Sequence, residues 1–297
     1  MSYAENRIYA KQIGEAAGGK TITRVIANQN PHSFVWFALD PGRAYSGADD
    51  AQFYADYLVG KTIRDTDARN GGYGNYVFLY IGDRILMFNS VAPLYHEKGS
   101  PVPRRHQLLL EFEDGSFLTL CGSLGGPIFL FQADPDGNPL HYTNSFPNLL
   151  SDAFSLEFFM EMIRATELRS LSAKAFLAAK NRIPGLDNGI LHEILWEARV
   201  NPKTKMVFLT ENDFISVYHA IKKVFAAVIE RGGKDTDKDI YGNFGQYITH
   251  VSKNTAEKPC ARCGGIVVKE AYLGGAVYYC PNCQPYIKQS ISMEGAI

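Results

Sequence analysis

The chain has 297 residues, 46% of them hydrophobic and 21% charged, and a formal net charge of −1. This is an ordinarily globular composition, long enough for two domains plus a small metal module, and its charge does not advertise a nucleic-acid binder. No apolar run is long enough to span a membrane and no signal peptide is read, so a cytoplasmic, reducing location is expected.

Ile8, Ile13 and Ala16 share a face over residues 5–18, which reads as a first helix ended by Gly18-Gly19. From residue 21 to about 131 the pattern is of short strands, expected at 22–27, 33–38, 62–68, 76–81, 84–88, 107–112, 117–120 and 128–131, with a short helix over 49–58. Ile81-Gly82-Asp83 and Glu113-Asp114-Gly115 supply hairpin turns. Eight short strands with turn punctuation suggest a β-sandwich or barrel. A stretch rich in Pro, Asp, Gly and Asn follows and marks a linker. Beyond residue 151 the period becomes helical, with helices expected at 158–165, 172–180, 189–198 and 211–231, the last ending at Gly232-Gly233. Residues 1–173 carry 14 Lys/Arg against 19 Asp/Glu, and residues 174–297 carry 16 against 12. The C-terminal half is therefore modestly basic, which permits a phosphate-binding face.

The last folded stretch is the most specific. Cys260-x2-Cys263 and Cys280-x2-Cys283 are separated by sixteen residues. Two CxxC knuckles at this spacing suit one tetrahedral, structural Zn²⁺ with four protein ligands and no open position. Two disulfides are the alternative, disfavoured without a secretion signal. Residues 266–268 and 276–279 read as strands of a hairpin turning at Gly274-Gly275. Cys121, in an apolar stretch, reads as a buried core thiol.

Lys174-Ala-Phe-Leu, Ile183-Pro-Gly-Leu-Asp-Asn188-Gly-Ile-Leu, Glu193-Ile-Leu and Ala198-Arg-Val-Asn-Pro202 together resemble the helix–two-turn–helix motif of the Fpg/endonuclease VIII (Nei) family of DNA glycosylases. Gly232-Gly233-Lys-Asp-Thr and the finger ending Tyr278-Tyr-Cys-Pro-Asn-Cys-Gln284 look like that family's C-terminal signature. The resemblance covers essentially the whole chain. It implies an α+β fold with an N-terminal helix plus a two-layer β-sandwich (1–133), a linker (134–150), a helix–two-turn–helix domain (151–254), a C-terminal β-hairpin zinc finger (255–285) and a tail (286–297). It further implies a monomer on double-stranded DNA carrying a damaged or abasic site, in a bacterial, nucleoid-associated setting, with a flipped nucleotide as substrate. Lys174 and Asn188 would hold a phosphate at a helix N-terminus, with Lys253 and Arg262 beside the finger as further backbone contacts.

The departures bear on chemistry. Family enzymes start with Pro-Glu, whose amine forms a Schiff base and whose carboxylate handles protons. Here the start is Met1-Ser2-Tyr3-Ala4-Glu5. The family's sandwich lysine falls at Gly72 and its finger arginine at Gly275, and its Gly-Asn becomes Asp187-Asn188, which sets a carboxylate where a phosphate should sit. A catalytically degenerate DNA binder is the leading expectation. An active glycosylase/AP lyase would use the Ser2 amine with Glu5. A third reading is a protein-binding adaptor, for which Phe34, Trp36, Tyr73, Tyr76 and Tyr95 are candidate exposed aromatics. Phe88 and Val91 fall where the family inserts a wedge, although core packing is the role expected of them.

Overall fold

The computed structural model describes residues 1–27, 36–38, 47–71, 74–122, 126–135, 138, 146–178 and 182–288. Gly72, Tyr73, Phe34, the first part of the expected strand at 33–38, most of the 134–150 linker and the tail beyond 288 lie outside the described residues. The chain divides into two compact units. One comprises Tyr3–Ser145 together with Lys238–Phe244; the other comprises Phe146–Asp237 and the chain from Gly245 onward.

In the first unit, helix α1 (Tyr3–Ala17) buries Tyr3, Ala4, Ile8, Tyr9, Ala10, Ile13 and Ala17. The apolar stripe packs against strands β3 (Ile63–Gly71) and β4 (Gly74–Ile81). These belong to a five-stranded sheet that runs β2 (Trp36–Ala38), β9 (Pro127–Gln132), β5 (Arg84–Phe88), β4, β3. A second, four-stranded sheet runs β1 (Ile22–Ala27), β7 (Leu108–Phe112), β8 (Phe117–Cys121), β6 (Ala92–His96). Helix α2 (Gly47–Leu58) packs on β1. β4 is buried along nearly its whole length, as a central strand covered on both faces must be. Phe88 and Val91 are completely buried, which places both in the core rather than at a surface wedge.

Strand β6 was not among the eight expected. Its Pro93 argues against a strand in the sequence, yet β6 lies at the edge of its sheet, where a missing N–H costs no ladder bond. Residues 238–244 close against this unit through Tyr95 N–H donating to Ile240 O at 2.7 Å and Tyr9 Oη donating to Lys238 O at 3.0 Å.

In the second unit, Ser155 caps α3 (Leu156–Arg164) by accepting from Phe158 N, so the helix starts two residues earlier than its apolar period suggests. Helix α4 (Ala173–Ala178), α5 (Asn188–Glu197) and α6 (Glu211–Glu230) follow. Thr210 and Asp213 form a reciprocal capping box at the start of α6. Phe154, Phe159, Phe176 and Tyr218 form a connected cluster of tilted and edge-on rings that packs α3, α4 and α6 together. Among the described residues no helix is long and apolar enough to cross a membrane.

Gly14 sits inside α1 where alanine would ordinarily favour the helix by about 1 kcal/mol. Here a Cβ would lie 2.7 Å from Thr66 Oγ1, and that hydroxyl is held by donating to Ala10 O at 2.7 Å. Gly14→Ala is therefore expected to destabilise the protein by about 1–3 kcal/mol, reversing the propensity sign, as read by urea denaturation.

Candidate functional site

The four finger cysteines come together. Their sulfurs all lie within 4.8 Å of one another, and they form the one such cluster among the described residues. Cys260 Sγ is 3.8 Å from Cys283 Sγ, and Cys263 Sγ is 3.5 Å from Cys280 Sγ. A disulfide needs about 2.05 Å, so the thiols are free. A tetrahedral ion with metal–sulfur bonds of about 2.3 Å has sulfur–sulfur edges of about 3.8 Å, and the set fits one metal ion. Between the knuckles run β10 (Val268–Tyr272) and β11 (Gly275–Tyr279). The turn is Leu273-Gly274, with φ of 52° and 74°, one residue ahead of the expected Gly274-Gly275. A two-residue hairpin turn of this hand needs positive φ at both positions; Gly275 instead pairs with Tyr272.

Side chains from the second unit fix the knuckles. Gln284 is fully buried: its Oε1 accepts from Cys280 N at 2.9 Å and its Nε2 donates to Val200 O at 2.9 Å. Trp196 of α5 donates its Nε1–H to Cys260 Sγ at 3.4 Å and packs with Val251, Val267 and Cys280. Glu193, 1% exposed, accepts four hydrogen bonds. Its Oε1 takes the N–H groups of His250 and Val251, each at 2.9 Å, and its Oε2 takes Tyr247 Oη at 3.0 Å and His250 Nδ1 at 2.8 Å. Burial and the Glu193 carboxylate push the Tyr247 hydroxyl far above its ordinary range, so it remains a donor.

Lys174 and Asn188 meet at the finger hairpin. Lys174 Nζ, on a side chain 5% exposed, donates to Tyr272 O at 2.7 Å, and Asn188 Nδ2 donates to Ala276 O at 3.2 Å. Both bracket Gly275: a Cβ there would be 3.7 Å from Asn188 Nδ2 and 3.8 Å from Lys174 Nζ, ordinary contact distances. Burial lowers the Lys174 ammonium below the usual lysine range.

A cavity of about 260 Å³ opens at the start of α5, where Asn188, His192, Lys234, Thr236, Lys253 and Tyr278 contribute to its lining. Asp187 caps α5 by accepting from Ile190 N at 2.8 Å. The repulsion expected of its carboxylate is offset. Lys234, 3% exposed, places Nζ 3.7 Å from Asp187 Oδ1 and 3.0 Å from Asp237 Oδ2. Gly189 makes room for that ammonium, since a Cβ there would be 2.7 Å from it. His192 is buried with Nε2 unpartnered, and burial, reinforced by Lys174, lowers its pKa to about 4. It is neutral at pH 7, and its ring meets Tyr278 edge-on.

The other anticipated residues are placed less favourably. Lys253 is exposed at the cavity. Arg262 lies 3.8 Å over the Trp196 ring, donates to Trp196 O at 2.8 Å and pairs with Glu197 at 3.3 Å, so its guanidinium is engaged within the protein. Ser2 is buried and Glu5 half-buried in the first turn of α1. Cys121 is half-buried, not fully buried as expected. Tyr76 belongs to the core, and Tyr95 meets Tyr241 edge-on. Sequence reasoning missed a buried amide cluster: Asn6 donates to Asn75, Asn75 pairs across the strands with Asn70, and Asn75 Nδ2 donates to Met1 O at 3.3 Å. It also missed Lys234 and His192. Asparagines spaced through a helix and two strands, and a lysine after a Gly-Gly, give no local signal of convergence.

No family model matches the chain. It is 23% identical over 248 residues to a formamidopyrimidine-DNA glycosylase of Bacillus cereus (strain ATCC 10987 / NRS 248), covering 80% of this chain and 87% of the relative. It is 25% identical over 267 residues to one of Lactobacillus delbrueckii subsp. bulgaricus (strain ATCC BAA-365 / Lb-18), covering 88% and 93%. Its fold matches the Lactococcus lactis Fpg crystallised with an abasic-site-containing DNA, at a TM-score of 0.75 and 20% identity over 96% of this chain and 99% of that one. It also matches the MutM (Fpg) protein of Thermus thermophilus, at 0.72 and 21% over 97% and 100%. The chain is thus similar to Fpg (MutM) proteins over most of its length in sequence, and over nearly all of it in fold.

Glu193→Ala leaves four donors facing a gap and is expected to cost about 3–5 kcal/mol, with Glu193→Gln retaining part of the network and costing less, both by urea denaturation. For His192 the folded pKa of about 4 lies below the unfolded value of about 6.5. Below pH 6.5 the unfolded chain takes up a proton that the folded chain refuses. Stability is thus full above pH 6.5 and falls, by up to about 3 kcal/mol, as pH drops to 4. His192→Phe, which keeps an aromatic edge toward Tyr278, should flatten that part of a stability–pH profile.

Proposed function

We propose that this chain binds double-stranded DNA, favouring a damaged or abasic site, and has lost the glycosylase and AP-lyase chemistry of its family. The observation that carries the reading is the convergence of Lys174 Nζ and Asn188 Nδ2 on Gly275 at the finger hairpin. Those side chains, Lys253 and the N–H groups opening α5 offer a phosphate the donors it needs. Arg262 would contribute by holding α5 to the finger more than by touching DNA, given its contacts with Trp196 and Glu197. The finger would hold one structural Zn²⁺ on Cys260, Cys263, Cys280 and Cys283.

Loss of chemistry is supported by the groups at the base of α1. The position that matches the family's proton-handling carboxylate is Ser2, and the buried polar cluster beside α1 consists of the neutral amides Asn6, Asn70 and Asn75. An amide neither takes up nor gives a proton near pH 7. At the finger, Gly275 presents no cation. A bacterial, nucleoid-associated location goes with this reading.

Fluorescence anisotropy of the zinc-loaded protein against duplexes with a tetrahydrofuran abasic analogue, or with no lesion, tests it across a salt series. Binding should be lesion-selective and weaken with salt. Lys174→Ala and Asn188→Ala should weaken it, and Gly275→Arg, for which the site has room, should tighten it about tenfold by adding a charge-assisted phosphate contact. Borohydride with abasic-site DNA should trap no covalent adduct. An adduct through the Ser2 amine would make the chain a lyase, and absence of binding at low salt would remove the DNA reading.

A further inference from the structure

We infer that Trp196 is an outer partner of the metal centre, its indole N–H holding the Cys260 sulfur while that sulfur binds the ion, so that helix α5 governs how firmly the site keeps its metal. The inference rests on the reading that the four cysteines hold a metal.

The donor and acceptor are both buried, Trp196 at 6% exposure and Cys260 at 3%, with Nε1 3.4 Å from Sγ. An indole N–H donates and cannot accept, so it favours a sulfur that carries negative charge. Charge on a thiolate in an apolar cluster is poorly solvated. The side chains of Val251 and Val267 supply no donor there, and the N–H of Trp196 joins the knuckle's own Arg262 and Cys263 backbone N–H groups in doing what water would do outside.

The ring is fixed against rotation. The His250 imidazole stacks on it at 4.0 Å with planes 10° apart, and His250 Nδ1 is held by Glu193 at 2.8 Å. The Arg262 guanidinium also lies against the ring, at 3.8 Å, and its Nη1 ties back to Trp196 O. Turning the indole away from Cys260 would break both stacks. Phenylalanine at this position would fill most of the space and supply no N–H. Partners that orient and polarise a metal ligand in this way typically matter by about 10–100-fold in metal affinity.

The test uses the full chain loaded with ¹¹³Cd. The two tryptophan side-chain N–H signals are assigned with Trp36→Phe. A scalar coupling between cadmium and the Trp196 Hε1 proton, carried through the N–H···S bond, is the expected result. Trp196→Phe should still bind one metal per chain but release it to a chelator about tenfold faster or more. Coupling of cadmium to the cysteine β protons but not to the indole, with unchanged release from Trp196→Phe, would overturn the inference and leave the metal reading standing. No coupling to any cysteine would end both. The cadmium measurement needs no change at position 196, so a variant that fails to fold does not alter its outcome.

Discussion

A carboxylate buried to 1% exposure tolerates no missing donor, and Glu193 sets the terms for everything around the finger. Its two oxygens are saturated by backbone and side-chain groups of residues 247–251, so that stretch has one position relative to α5. His250 is thereby set flat on Trp196, and Trp196 on Cys260. On the far side Gln284 repeats the device with neutral groups, joining Cys280 to Val200. The finger is held to α5 by polar bonds in a dry setting, where geometry is tightly specified.

A similar constraint governs charge at the start of α5. Asp187 improves the helix by capping it, and the family's phosphate site would suffer for it if Lys234 did not lie between Asp187 and Asp237. The buried ammonium removes the repulsion but also uses its charge inside the protein. What remains for a phosphate is the pair Lys174 and Asn188 with exposed Lys253, a thinner set of donors than the family's pattern implies. On the proposed reading, weak, salt-sensitive DNA binding would follow from that set.

Local features were legible in the sequence and convergent ones were not. The metal knuckles could be read because each pair of ligands sits within four residues, and strand 84–88 because apolar residues and a Gly-Asp turn bound it. The finger turn slipped by one, since Gly274-Gly275 looks like the obvious turn and a leucine at φ 52° does not. Pro93 hid β6, whose tolerance of proline depends on lying at a sheet edge, a property of topology. Asp187 was readable as a carboxylate set where a phosphate should sit, but its neutralisation depends on Lys234, distant along the chain. Likewise no pattern near Trp196 announces a sulfur 64 positions away.

The path of residues 238–244 has a consequence for synthesis on the ribosome. This segment packs with the N-terminal unit although the chain on either side of it belongs to the other. Until about residue 244 has emerged, β6 lacks the partner that Ile240 supplies to Tyr95, and the nascent N-terminal unit waits with that strand's N–H uncovered. The two units therefore cannot be completed strictly one after the other. The first closes only when most of the second has been made, which lengthens the interval during which a half-finished chain carries an unpaired strand edge.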